Sequence, residues 1–350
     1  MYFIFLYVFC VLATESGISI KRIGRILMVL CMILAFCVAM RDKWPDEEVY
    51  IVAFQKAPGV FDFDWDVKPY GYAERGYLFL ASICKALYNS PRFYLLAMAG
   101  LSMFLLYKSL IKYCFLPLFG LCDYVGRFLL NRDCQQMRSS LAILLIILGM
   151  KWVKERKMLH YMGLVALAYT FHHMALLAIP FYFLTMVRIR KRYILVGLVL
   201  AFILSQTAAL LISDYVDAWS EDLQYSTYTE GNYVEKALGL ANPMIYFQMG
   251  ILFLLMLFED TLREKSNYYY HFRTGYFYST IILILFCNYT ALSGRTSTMF
   301  ATLEMFILPM IALAFPRGFF RGSYYLIVGM VLTYFFINKY SAVIQMMSGA

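Results

Sequence analysis

The chain has 350 residues and a formal net charge of +9; 62% of it is apolar or aromatic, 15% is charged, and its mean hydropathy is +0.65. Soluble domains carry about 25% charged residues, so this chain cannot coat a water-facing particle of its size. A cytosolic enzyme, a disordered chain and a secreted disulfide scaffold are all ruled out. What remains is an all-α, polytopic transmembrane bundle of about 10–13 helices, since a span takes about 20 apolar residues. The apolar runs are continuous rather than alternating, which argues for helices against a membrane barrel.

In chain order, helices are expected over 1–14, 23–40, 93–111, 113–130, 138–152, 193–212, 242–258, 275–292, 297–315 and 323–339. The first run lacks the basic start of a cleaved signal and reads as a retained helix that begins outside. Lys21–Arg25, Lys108–Lys112, Lys151–Lys157, Arg188–Arg192, Arg263–Arg273 and Arg317–Arg321 are short basic clusters, which mark cytoplasmic loops. Acids concentrate in 41–76 and 213–240, which are placed outside. Both lie within one integral membrane domain, 1–350.

Two stretches resist a simple span. Residues 76–90 are short, and only a re-entrant or surface-lying segment keeps the loop charges on consistent sides. Residues 158–187 run between two basic clusters, so they read as a hairpin of short helices with His172 and His173 at its outer turn. Irregular backbone at such depth is tolerated where it is buried in protein or faces water, which points to a cavity.

The eight cysteines contain no C-x-x-C and sit mostly inside apolar runs, as small buried hydrophobes. No P-loop, dinucleotide fingerprint, zinc-protease or nucleophile-elbow motif is present. Basic residues fall in loop clusters, which is topology rather than a nucleic-acid surface. Charged residues at helix ends within apolar sequence are costly and call for a reason. Arg41, Arg138 and Arg295 all fall at expected outer helix boundaries. A guanidinium offers a planar fork to a phosphate and stays charged, although a boundary arginine can equally snorkel to headgroups. His172 can serve as a base near neutral pH, and Asp46 and Glu74 are alternatives. The segment 213–240 adds Tyr215, Trp219, Tyr225, Tyr228 and Tyr233, which suit either a sugar surface or an interfacial belt.

Four elements in order resemble the EpsG-like, Wzy-type polymerases of bacterial surface polysaccharide. They are Arg41…Asp46…Tyr50…Phe54; Glu74-Arg75-Gly76-Tyr77; Gln136-Met137-Arg138…Ala142 with Phe171-His172-His173; and Arg295…Phe300…Pro309. Trp44-Pro45-Asp46 replaces the usual Gly-x-Asp, and Ser139 stands where the family has Gln. The resemblance implies a glycosyltransferase that joins undecaprenyl-diphosphate-linked repeat units at the outer face of the bacterial inner membrane. It implies His172 and Asp46 as catalytic groups, with Arg41, Arg138 and Arg295 on the diphosphate. Tyr50, Glu74, Tyr77 and His173 would then face the sugar. No cofactor or metal is called for. The implied partners are the lipid-linked glycan, the bilayer, a chain-length regulator and a flippase. A lipid-linked oligosaccharide flippase or transporter and an O-antigen ligase or acyltransferase are the alternatives. Pseudo-symmetric halves would favour the first, and one long outer loop the ligase.

Overall fold

The computed structural model describes residues 2–65, 74–223 and 238–348, and only the backbone of 208–223, 290, 291 and 348. Among these residues the fold is all-α, without strands. Helices Ile20–Ala39, Pro91–Tyr113 and Phe319–Met347 are each long and apolar enough to cross a membrane. So is the pair Pro243–Leu257 and Glu259–Lys265, which is bent by 79°. The protein is a multi-pass membrane protein.

The chain forms two compact units: residues 1–178 with 304–350, and residues 179–303. The first unit holds α1 (Tyr2–Glu15), α2 (Ile20–Ala39), α3 (Glu47–Lys56), α4 (Arg75–Leu87), α5 (Pro91–Tyr113) and α6 (Pro117–Tyr124). A π-helical turn, Val125–Leu129, leads into α7 (Leu130–Arg132), α8 (Met137–Leu148), α9 (Met150–Lys154) and α10 (Met158–Tyr169). A 3-10 turn, His173–Leu177, follows, and the second unit begins at Ile179 within α11 (Ala178–Leu184). That unit continues with α12 (Lys191–Leu223), α13 (Pro243–Leu257), α14 (Glu259–Lys265), α15 (Tyr269–Leu285) and α16 (Thr290–Ala301). The chain then returns to the first unit through α17 (Glu304–Ala312) and α18 (Phe319–Ser348).

Packing in the first unit follows membrane rules. On α2 the buried residues Gly24, Leu27, Cys31, Ala35 and Val38 recur at helical spacing, with Gly24 facing the Ile111 side chain of α5. Small residues on such a stripe let two helices approach where no hydrophobic effect drives them together. The other side of α2 leaves Met28, Val29, Met32, Ile33 and Phe36 exposed, as a lipid-facing helix should. Pro91 and Pro117 occupy first-turn positions of α5 and α6, where their missing N–H costs nothing. The Arg127 guanidinium meets the Glu304 carboxylate at 2.9 and 3.3 Å and lies 4.4 Å over the Phe335 ring. These contacts hold α17 and α18 against the π-helical turn.

In the second unit, buried Arg273 donates to Glu259 at 2.9 Å and to the Ile189 carbonyl at 2.5 Å, while Tyr270 donates to the same glutamate. Ser279 donates to the Ser297 carbonyl at 2.7 Å, and the Phe181 and Phe300 rings pack 4.5 Å apart. The expected short pair over 158–187 is present as α10, a break at Thr170–His172, and α11. The expected loop 41–76 instead contains the helix α3. The backbone of α12 runs to Leu223, past the expected end at 212, and carries Tyr215 and Trp219. Tyr225, Tyr228 and Tyr233 of the expected outer segment, and Asp66 of the first, lie outside the described residues.

The start of α4 is fixed by one close approach: the Gly76 N–H donates to the Thr170 carbonyl at 2.9 Å, and a Cβ at Gly76 would run into the Thr170 side chain. Gly76→Ala is therefore expected to push α4 off the end of α10 and to destabilise the protein by about 1–3 kcal/mol, as overpacking generally does. Thermal unfolding of the detergent-solubilised protein would show this as a lowered midpoint, with Gly100→Ala, which meets open space, as the unaffected control.

Candidate active site

In the first unit, the C-terminal end of α2, the start of α3, the first turn of α4, the α7–α8 turn and the α10 break all meet. Tyr50 of α3 joins them. Its hydroxyl donates to the Gln135 carbonyl at 2.7 Å and accepts the Met137 N–H at 3.1 Å, capping α8 at its first residue. Burial pushes the Tyr50 phenol up to about 12 against the opposing charge of Arg138, so it stays a neutral donor.

Around this capped N-terminus lie three arginines. Arg41, just past α2, is buried and donates to the Val38 carbonyl at 2.5 Å and toward the Met137 sulfur at 3.0 Å. Its Nε has no hydrogen-bond partner, and among the described residues no carboxylate lies at ion-pair distance from it. Arg132 is also buried; it donates to Ser139 Oγ at 2.7 Å and leaves one terminal nitrogen without a partner. Arg138 pairs with Glu74 and lies over the Tyr77 ring. Isolated buried cations are expensive, and a helix N-terminus adds partial positive charge. Chemically, such an arrangement can hold an anion.

The backbone that presents Arg41 is tightly turned. Lys43 and Asp46 both adopt left-handed conformations, φ 56° and 64°, and Arg92 of α5 ties the turn down. Its guanidinium donates to the Arg41 carbonyl, to Glu47 at 2.9 Å and to Asp42 at 3.2 Å. Glu47 is thus the buried acid of this turn, whereas Asp46 is exposed and makes no side-chain capping bond. Beneath α8, Asp133 accepts from Tyr124 and Ser140, each at 2.7 Å.

Glu74 links the arginines to the histidines. One carboxylate oxygen takes the Arg138 guanidinium, and the other lies 3.3 Å from His173 Nδ1. Burial works to raise the Glu74 pKa, but the His173 hydrogen bond and the Arg138 charge together hold it below the ordinary value. A carboxylate can only accept, so His173 donates from Nδ1. His172 has the opposite arrangement. Its Nδ1 accepts the Met174 N–H at 3.2 Å, which leaves the proton on Nε2. Burial pushes its pKa down to about 3, partly offset by Glu74. The two rings stack 4.6 Å apart.

Glu74, His172 and His173 also bring ligand atoms within 4.8 Å of one another, a spacing that can hold a cation. However, Glu74 already bears a guanidinium and His172 spends Nδ1 on backbone, so the donor set suits proton handling better. Two clefts of the first unit lie elsewhere: about 480 Å³ beside Arg22 and Arg25, and about 310 Å³ beside Arg127 and Lys339.

Of the residues singled out in the sequence, Arg41, Tyr50, Glu74, Tyr77, Arg138, His172 and His173 come together, with Asp46 on the neighbouring turn. Arg295 belongs to the second unit, half-buried on α16. Sequence reasoning missed Arg132, Arg92 and Glu47. Arg132 directly precedes an acid at the end of an apolar run and so reads as a compensated pair.

A model of the EpsG family matches residues 24–348. No curated protein and no solved structure matches the chain.

An imidazole whose folded pKa is depressed contributes full stability above its unfolded value near 6.5 and loses it as pH falls toward 3. The thermal midpoint of the wild-type protein is therefore expected to drop between pH 7 and pH 5. His172→Gln should flatten that slope, and thermal unfolding across this range checks it.

Proposed function

The chain belongs to the EpsG family, whose members are polysaccharide polymerase-like membrane proteins, and from that premise we propose that it is a glycosyltransferase joining undecaprenyl-diphosphate-linked repeat units. The single observation that carries the reading is the buried Arg41 guanidinium, with no carboxylate at ion-pair distance among the described residues, set beside Arg132 and Arg138 at the start of α8. A polyprenyl diphosphate is the anion that such a group fits, and its charge grows as the bond to the sugar breaks. Fixed cations stabilise that change best because they need no reorganisation.

In this reaction a hydroxyl of the acceptor sugar attacks the anomeric carbon of the donor. The new glycosidic bond forms as the bond from that carbon to the diphosphate oxygen breaks, and the hydroxyl proton passes to a base. His173 suits the base role through Nε2, with Glu74 fixing its tautomer as the buried acid does in a catalytic triad. His172, neutral and protonated at Nε2, suits a hydrogen-bond donor to a sugar oxygen. Tyr50 and Tyr77 support the arginines, and Asp46 is a second acid for sugar hydroxyls.

The distribution of charge supports a side of the membrane. Lys21, Arg22 and Arg25 stand at the start of α2, whereas Arg41 follows its end. Lys108 and Lys112 close α5, whereas the site-side Arg92 opens it. Lys151 and Lys154 lie beyond α8, whereas Arg138 opens it. The cluster therefore occupies the helix ends away from the basic loops, which supports a periplasmic site in a bacterial inner membrane. A flippase and a chain-length regulator, as suppliers and users of the same glycan, belong to the same proposal.

Arg41→Ala and Arg138→Ala are each expected to leave the protein inserted while removing the length ladder of the cell-surface polysaccharide. Because Lys cannot reproduce a planar two-point grip, Arg138→Lys should rescue poorly. Gel electrophoresis of extracted polysaccharide tests this, and an intact ladder in the alanine variants would refute the assignment.

A further inference from the structure

The segment that joins α3 to α4 alternates rings and acids: Phe61-Asp62-Phe63-Asp64-Trp65-Asp66. In the structure Phe63, Trp65 and Phe79 form a closed trio of rings. Their centroids lie 5.0 Å apart for Phe63–Trp65, 5.1 Å for Phe63–Phe79 and 5.3 Å for Trp65–Phe79. Trp65 is 49% exposed, Phe61 is completely so, and Asp62 and Asp64 are exposed beside them. Residues 55–62 are held in place: Lys85 of α4 donates to the Gln55 and Ala57 carbonyls at 3.0 and 2.9 Å, and the Asp62 N–H closes a turn onto Gly59.

We infer that this ring trio, with Asp62 and Asp64, is a docking platform for the glycan chain next to the linkage being formed. The inference rests on the polymerase reading above. Two facts select a glycan as the occupant. First, aromatic faces take the C–H faces of sugar rings, and interleaved carboxylates accept sugar hydroxyls, whereas the same acids repel the phosphates of a bilayer surface. Second, the platform is continuous with the site. Phe79 stands five residues along α4 from Glu74, about 7 Å of helix rise, the reach of a short oligosaccharide rather than one ring. On the same helix Tyr77 faces inward under Arg138, while Phe79 turns to the platform. The carboxylates also set the class of sugar: neutral or amino-bearing residues are accepted here, and uronate-rich stretches are not.

The test uses the full-length protein in detergent, with Trp44→Phe, Trp152→Phe and Trp219→Phe, so that Trp65 is the reporter. Neutral oligosaccharides cut from the producing cell's own surface polysaccharide are expected to change Trp65 fluorescence saturably. Phe79→Ala should weaken that binding at least tenfold, and the milder Asp62→Asn/Asp64→Asn should weaken it severalfold without disturbing the ring packing. In cells both variants should shift the ladder to shorter chains while polymer is still made. No Trp65 response to the fragments overturns the platform, as does a blue shift confined to anionic phospholipid vesicles, which would mark a membrane anchor. If Arg41→Ala leaves the ladder intact while fragments still bind, the polymerase reading falls and the glycan site stands. If the arginine variants abolish the ladder but Trp65 stays silent, the platform alone falls.

Discussion

A guanidinium removed from water without an opposing carboxylate is the constraint around which the first unit is organised. Among the described residues Arg41 occupies that position at the end of α2, whereas buried Arg132 feels the charge of the adjacent Asp133 and still leaves one terminal nitrogen without a hydrogen-bond partner. Such groups would ordinarily destabilise a fold by several kcal/mol. Hydrogen bonds to the Val38 carbonyl and Ser139 hydroxyl offset part of that cost, but they do not neutralise the charge. An anion of two or more charges does. On the proposed reading, that charge is held in reserve for the lipid diphosphate rather than used in internal pairs.

The neighbouring groups are arranged so that this reserve is not cancelled from within. Glu47 and Asp42 are acids close enough to compete, yet Arg92 engages both. Asp133 is held by Tyr124 and Ser140. Glu74 is divided between Arg138 and His173, which couples the anion-binding charge to the group proposed to take up a proton. Tyr50 fixes the register of the whole arrangement by closing α8 at Met137. A short turn rich in strained backbone, Lys43 to Asp46, is the kind of feature that persists where surrounding contacts over-determine it.

Much of the architecture was legible because lipid permits few solutions. Apolar runs of span length gave α2, α5 and α18 within a few residues at most of their ends, and the paired basic clusters around 158–187 forced a broken pair rather than a single span. Helix α3 was not legible. Glu47, Glu48, Gln55 and Lys56 make it read as a polar loop, although Tyr50, Ala53 and Phe54 recur on one buried face. The π-helical turn at Val125–Leu129 leaves no trace in hydrophobic periodicity. For the site, the residue types and order of the motifs picked out most members of the cluster. The division of labour between His172 and His173 was beyond reach, because it depends on Glu74, which lies 99 residues away, and on which ring nitrogen faces the backbone. Sequence picked out most of the cluster; the hydrogen bonds of the two Nδ1 atoms were beyond it.

The most direct measurement is the affinity of the purified protein for undecaprenyl diphosphate lacking any sugar, followed by native mass spectrometry. Retention of one lipid diphosphate by the wild-type chain, at least tenfold stronger than that of undecaprenyl monophosphate and lost in Arg41→Ala, is the predicted result. Equal retention of the two lipids, or binding unchanged by Arg41→Ala, would contradict the assignment of that buried charge to the leaving group.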